Sequence, residues 1–240
     1  MAVVQRMPGQ SDTKPTTVEK ISLNKFEKES QIFKKTSFSF FDEHEEFHAL
    51  ATKVGTNSFF ITGASGVFGQ WITCFLDWVV ARDLGFPTTA MLWRERDFKY
   101  EESSNVIFGD IQTFTFPKDE YDYLIHLAAP SAKDTFNGMV ENEKLKQLVN
   151  GTEHVLKFAK RNIKKRTLMV SSGAIYGGFG PKRRKPIAET ERIAPSFSND
   201  DAGLAIGKRA LEVITKNYCA NGSVDASIAR CFGFLGPKLP

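Results

Sequence analysis

Cysteine is scarce in this 240-residue chain: Cys74, Cys219 and Cys231 stand far apart, and no Cys-x-x-Cys pair exists. That excludes a disulfide framework and gives no zinc cluster, and reduced thiols in a cytoplasmic protein are the simplest reading. Long apolar runs are lacking too. The best candidate, Trp71 to Ala81, carries Asp77 inside it and reads as a core helix, so no membrane association is expected. Met1 to Arg6 is followed by Pro8, Gly9 and polar residues, without the apolar stretch of a secretory leader. Excess charge is small: 32 Lys and Arg against 28 Asp and Glu leave a net +4, which is not the footprint of a nucleic-acid binder. There is no internal repeat. Trp (3) and Tyr (5) are few while Phe (21) is abundant, so a Phe-rich core is expected.

Residues 1–40 are polar, with Lys14, Lys20, Lys25, Lys28, Lys34 and Lys35 among Ser, Thr and Gln, and read as a mobile arm. Phe41, Phe47 and Leu50 then anchor the chain through a short helix over residues 41–52. From Asn57 the pattern changes. Ser58 to Thr62 is an apolar run ending in a glycine turn, as in a buried strand. Gly66 to Ala81 has apolar residues at helical spacing. Further strands are expected at residues 89–93, 105–108, 123–127, 167–171 and 226–230, with helices over 141–161 and 205–218. Strands alternating with helices predict an α/β fold: a doubly wound parallel sheet over residues 41–240, covered on both faces.

The strongest local signal is Gly63-Ala64-Ser65-Gly66-Val67-Phe68-Gly69, between a predicted strand and a predicted helix. In that context the pattern is a dinucleotide fingerprint. Gly63 permits the tight turn, Gly66 lets backbone approach a pyrophosphate, and Gly69 lets the helix pack closely on the sheet. Ser65, Val67 and Phe68 belong to the same turn, and the helix start offers N–H groups and a positive dipole end to phosphate. About 25 residues past Gly69, at the end of the second strand, stands Arg94. An acidic residue there would suit NAD, whereas arginine suits the 2′-phosphate of NADP. Arg94 therefore tips the cofactor slightly toward NADP, with a solvated basic loop as the other reading.

Four more motifs follow in order: Gly109-Asp110-Ile111, His126-Leu127-Ala128-Ala129, Ser171-Ser172-Gly173-Ala174-Ile175-Tyr176-Gly177 and Arg230-Cys231-Phe232-Gly233-Phe234-Leu235-Gly236-Pro237. With the glycine turn they resemble the extended short-chain dehydrogenase/reductases, the NAD-dependent epimerase/dehydratase family that modifies nucleotide sugars. The likeness runs from about residue 41 to the end, and is nearest to members with a helix before the first strand, Trp71 in the next helix and the Phe114 to Pro117 segment. The resemblance implies an NAD(P)-dependent Rossmann enzyme with redox chemistry at a sugar carbon. It places Asp110 and Ile111 beside the adenine and Leu127, Ala128 and Ala129 along the cofactor. Ser172 matches the catalytic Ser/Thr that bonds the reacting oxygen. Lys208 matches the lysine that holds the nicotinamide ribose and lowers the pKa of a catalytic tyrosine.

Two departures qualify the enzyme reading. The family's tyrosine stands four residues before the lysine, and here that position is Leu204. Leucine carries no proton, and general acid–base catalysis of this kind is worth roughly 10²–10⁴ in rate. Tyr176 is a poor substitute, since it belongs to a different motif. Gly203 and Gly207 weaken the start of the same helix by about 1 kcal/mol each. The family also has a further lobe after the Gly-Pro motif that holds the nucleotide sugar, whereas this sequence stops at Pro240. A fragment, a truncated product and a partner that supplies the rest are the three readings, and an uncovered sheet edge would favour self-association into a homo-oligomer. The rival to the enzyme is thus a dinucleotide-binding remnant or subunit with impaired or no catalysis.

His44-Glu45-Glu46-Phe47-His48 matches the zinc motif His-Glu-x-x-His literally. A third ligand is not evident, and an acidic solvated helix face is the better reading, so no metal is expected. The basic run Pro181 to Pro186 reads as an exposed loop.

Overall fold

A computed structural model describes residues 31–93, 105–177, 186–191, 195 and 202–233. The strands are β1 (Ser58–Thr62), β2 (Thr88–Trp93), β3 (Asn105–Phe108), β4 (Tyr121–His126), β5 (Ile163–Ser172) and β6 (Ala226–Cys231). They form one sheet in the order β3-β2-β1-β4-β5-β6, and every neighbouring pair is parallel. The order reverses between β1 and β4, which is the switch point of a doubly wound fold, and strand C-terminal ends open there into a crevice. The basic run at 181–185 and Arg94 lie outside the described residues.

Alternation along the strands decides which side chains face which layer. Phe59 and Ile61 of β1 and Met91 of β2 pack with Phe41, Phe75, Trp78 and Val79 on one face. Phe60, Ala90, Leu92 and Leu124 face the other way, against Val155 and Phe158. Rings make much of both layers: Phe60 and Phe158 lie 4.5 Å apart, and Phe41 meets Trp78 at 5.6 Å. Such pairs add about 0.5–1.5 kcal/mol each beyond the area they bury.

The helices are α1 (residues 31–42), α2 (Glu45–Val54), α3 (Val67–Ala81), α4 (Ala132–Phe136), α5 (Glu141–Asn162) and α6 (Ala202–Ala220). A 3-10 turn, Gly173–Tyr176, follows β5 directly. None of the described helices is long and apolar enough to cross a membrane.

Three local expectations change. The single helix read at 41–52 is two helices, and the first of them occupies residues 31–40 of the stretch read as an arm. Tertiary contacts hold it: Phe33 meets Trp71 edge-on at 5.0 Å, Lys34 pairs with Asp77 at 2.9 Å, and Asp42 accepts from Trp78 Nε1 at 2.9 Å. Arg82 reaches the same carboxylate at 2.6 Å, and its hydrogen bonds, followed by that from Trp78, hold Asp42 down at about 2.

The second change concerns α6, which begins at Ala202 and includes both glycines that seemed to weaken it. A Cβ on Gly203 would stand 2.4 Å from the Glu141 carbonyl oxygen, and one on Gly207 2.5 Å from Leu148 Cδ1. The two glycines let α6 lie closely against α5. The third change is β5, which starts at Ile163 with Lys164, Lys165 and Arg166 exposed, paired across to Glu120, Asp122 and Asp225.

Candidate functional site

At the end of β1 the three glycines serve three different needs. Gly63 has φ +72, and a Cβ there would stand 2.6 Å from the Ala128 amide nitrogen after β4. The turn closes through Gly66 N–H donating to the Gly63 carbonyl at 3.0 Å. Gly69 faces the Ala64 backbone, where a Cβ would meet Cα at 2.4 Å. Gly66 differs: apart from the Gly63 oxygen at 3.2 Å, nothing stands within 4 Å of its missing Cβ. It is the N-cap of α3, no side chain caps the helix end, and the first turn holds no acidic residue. Gln70 Nε2 donates back to the Ser65 carbonyl at 2.8 Å and stiffens the turn, with Val67 and Phe68 opening the helix. An open backbone cradle on a helix N-terminus without a competing carboxylate suits a phosphate group.

The other strand ends face the same crevice. Leu127 N–H donates to the Thr62 carbonyl at 3.1 Å and Ala128 N–H to Thr62 Oγ1 at 3.4 Å, so Leu127 and Ala128 continue β4 beside the glycine turn, with Ala129 next. After β3, the exposed Asp110 accepts from Gln112 N–H at 2.7 Å. Ile111 is buried beneath it and closes on Gly151, where a Cβ would come within 3.1 Å of Ile111 Cγ2.

His126 is buried, and its Nδ1 lies 2.8 Å from Thr62 Oγ1. Thr62 Oγ1 thus joins the His126 ring to the Ala128 N–H beside the glycine turn. Burial, with a smaller contribution from the charge of Lys208, pushes the imidazole down to about 3, so it is neutral. In the sequence His126 was visible only as the first residue of its motif, with no role of its own.

Ser172 ends β5 and caps the 3-10 turn, its Oγ accepting from Ala174 N–H at 3.1 Å. Lys208, in α6, is 5% exposed and donates to the Val170 carbonyl at 2.6 Å. Burial brings its ammonium down to about 8. Ser172 and Lys208 thus meet on the last three residues of β5. Leu204 lies one helical turn before Lys208, and its N–H donates to Glu141 Oε2 at 3.3 Å. Tyr176 is 2% exposed, and its hydroxyl accepts from Arg230 Nη1 at 2.6 Å, which leaves it engaged inside the fold.

Arg230 was legible only as part of a motif. It donates through Nε and Nη2 to both oxygens of the buried Glu212, each at 2.8 Å. Burial is the largest single influence and raises the Glu212 carboxyl, but the hydrogen bonds from Arg230 and Ser171 and the positive charges of Arg230 and Lys216 together bring the net shift downward. The spacing of Lys208 and Glu212, one turn apart on α6, was the available signal.

The zinc motif comes apart in space. His44 is the N-cap of α2, outside the helix, with Nδ1 2.7 Å from the Phe40 carbonyl oxygen. His48 turns to Trp78, ring to ring at 5.0 Å. Among the described residues no group of three His, Cys, Asp or Glu side chains could hold a metal ion.

No curated protein matches this chain. Solved structures with the same fold include UDP-N-acetylglucosamine 4-epimerase from Methanobrevibacter ruminantium M1 in complex with UDP-N-acetylmuramic acid, at TM-score 0.60 and 19% identity over 77% of this chain. RMD from Pseudomonas aeruginosa, complexed with NADPH, aligns at TM-score 0.55 and 21% identity over 77%. DesIV, a dTDP-glucose 4,6-dehydratase from Streptomyces venezuelae with NAD bound, aligns at 0.59 and 20% over 75%. The chain spans 57% of the length of each of these three. A sequence profile described as the NAD dependent epimerase/dehydratase family matches residues 59–240, and on that match the chain belongs to this family.

Proposed function

We propose that this chain binds a nicotinamide dinucleotide across the ends of β1 and β4, as the cofactor domain of a nucleotide-sugar epimerase or dehydratase. One observation carries the reading above the others. Gly63 closes on Ala128 at the point where the strand order reverses, beside a helix end that no side chain caps. The pyrophosphate would lie against Gly63, Ser65 and Gly66 and the start of α3. Asp110 and Ile111 would take the adenine end, and Leu127, Ala128 and Ala129 the length of the cofactor. Arg94 would pair with a 2′-phosphate, which favours NADP over NAD. When bound, the nicotinamide would exchange hydride with a sugar carbon.

The chain's own side chains would do the remainder. Lys208 would hold the nicotinamide ribose, and Ser172 would bond the oxygen at the reacting carbon. At Leu204 no proton can be passed, so the chemical step lacks a contribution of about 10²–10⁴. That substitution favours a second reading, in which the chain binds dinucleotide with little or no turnover. The nucleotide-sugar class is supported by the family and by the UDP- and dTDP-sugar enzymes among the solved structures. Titration with NADPH and NADH, followed by a turnover assay with UDP- and dTDP-sugars, separates the two: binding without turnover gives the second reading, and binding with turnover the first.

A further inference from the structure

We propose that Arg230 is a positioning residue that fixes Ser172 and Lys208 relative to each other, joining the turn after Ser172 to the helix that carries Lys208. The proposal rests on the function proposed above for those two residues. It starts from a closed circuit of contacts. Ser172 caps the 3-10 turn through Ala174 N–H, and that turn ends at Tyr176. The Tyr176 hydroxyl accepts from Arg230 Nη1 at 2.6 Å, and the guanidinium lies 5.2 Å from the centre of its ring. The other edge of Arg230 grips Glu212 with two hydrogen bonds. Glu212 stands one helical turn after Lys208, and Lys208 returns the circuit to β5 at Val170, two residues before Ser172. In β6, Arg230 is itself in register with Ser171, and Cys231 with Ser172.

The chemistry needs an arginine. A buried carboxylate such as Glu212 would be satisfied by any cation, but Tyr176 and the Glu189 carbonyl also accept from Nη1, at 2.6 and 2.8 Å. Only a planar fork of donors reaches Glu212 and Tyr176 together; an ammonium is a single point charge. A merely stabilising role is therefore met by lysine at 230, and a positioning role is not.

The test compares the whole chain with Arg230→Lys, using NADH and hydrogen exchange resolved to single amides. Lys208 faces the His126 ring of β4, the Val170 carbonyl of β5 and Cys231 of β6, and titrates near 8. In the unaltered chain, NADH affinity should decline as pH rises through that value. Arg230→Lys should melt close to the parent. Its NADH affinity should fall about three- to tenfold, as expected for one member of a coupled network. The pH inflection should move upward toward an ordinary lysine, and exchange should quicken at Ala174 and over residues 202–212 and nowhere else. An unchanged pH profile together with unchanged exchange at Ala174 would overturn the proposal.

If the parent binds NADPH but not NADH, the affinity arm is read with NADPH; if it binds neither, the proposed function fails, and exchange alone decides the positioning role. Quickening confined to those two segments supports it; no change, or a change throughout the sheet, refutes it. Should Arg230→Lys fail to fold, Tyr176→Phe removes only the hydroxyl and leaves the Glu212 pair intact. It should still quicken exchange at Ala174, and normal exchange there would equally refute the proposal.

Discussion

Gly63 and Ala128 lie so close that a methyl group on the first would stand 2.6 Å from the amide nitrogen of the second. One follows β1 and the other β4, the two strands between which the sheet reverses its order. Their contact brings the glycine turn and the β4 end to one crevice, and the proposed cofactor site depends on it.

The glycines make separable predictions about stability. Gly69→Ala places a methyl 2.4 Å from Ala64 Cα, and Gly207→Ala places one 2.5 Å from Leu148 Cδ1. Alanine gains about 1 kcal/mol in helix propensity, but overpacking costs typically 1–3 kcal/mol, so both variants should be less stable than the parent. Urea unfolding followed by circular dichroism reads the difference; a stabilised Gly207→Ala would contradict the close approach of α5 and α6.

The contrast also shows how far the sequence could be read. β1 was legible residue for residue, because an apolar run bounded by Asn57 and Gly63 leaves one register. The first turn of α6 was not, since Gly203 and Gly207 oppose helix locally and their reason lies on α5. The first four residues of β5 were hidden because Lys164, Lys165 and Arg166 lack the apolar pattern of a buried strand and are held by cross-strand ion pairs. At the site, the glycine turn is contiguous and was visible. The Arg230, Glu212 and Tyr176 cluster joins three distant segments, and His126 acquires its partner Thr62 only when β4 pairs with β1.

Acid should weaken the fold through His126. Its folded value is about 3, against 6.5 for an ordinary histidine. Between those values the unfolded chain takes up a proton that the folded chain refuses, so stability falls as pH drops from 6.5 to 3, by up to about 1.4 kcal/mol per pH unit. His126→Gln should flatten this part of the profile in urea unfolding; an equally steep loss in the variant would show that another group is responsible. Lys208 acts at the other end. Its value is depressed from 10.5 to about 8, so its contribution to stability rises with pH across that window.

Cofactor choice turns on Arg94. Arg94→Ala should weaken NADPH by about 1.5–3 kcal/mol, the cost of a charge-assisted hydrogen bond, and leave NADH unaffected. Equal losses for both dinucleotides, measured by calorimetry, would count against a 2′-phosphate contact.

Turnover should be limited by Leu204. Leu204→Tyr restores a proton carrier one turn before Lys208, and should raise the rate of the chemical step by about 10²–10⁴ without changing dinucleotide affinity. The comparison is best made with the C-terminal lobe of a family member joined to the chain, so that the sugar is held equally in both. Brisk turnover with leucine at 204 would mean that another group moves the proton.

The most direct measurement is calorimetric titration of NADPH and NADH into the unaltered chain and into Gly66→Val. Gly66 has φ −75, which any residue adopts, and one neighbour at 3.2 Å, so valine should leave the fold intact by circular dichroism. Its side chain would occupy the approach of the pyrophosphate. The account predicts saturable binding of at least one dinucleotide by the parent and none by Gly66→Val. Equal binding by both, or no binding by the parent, would contradict it.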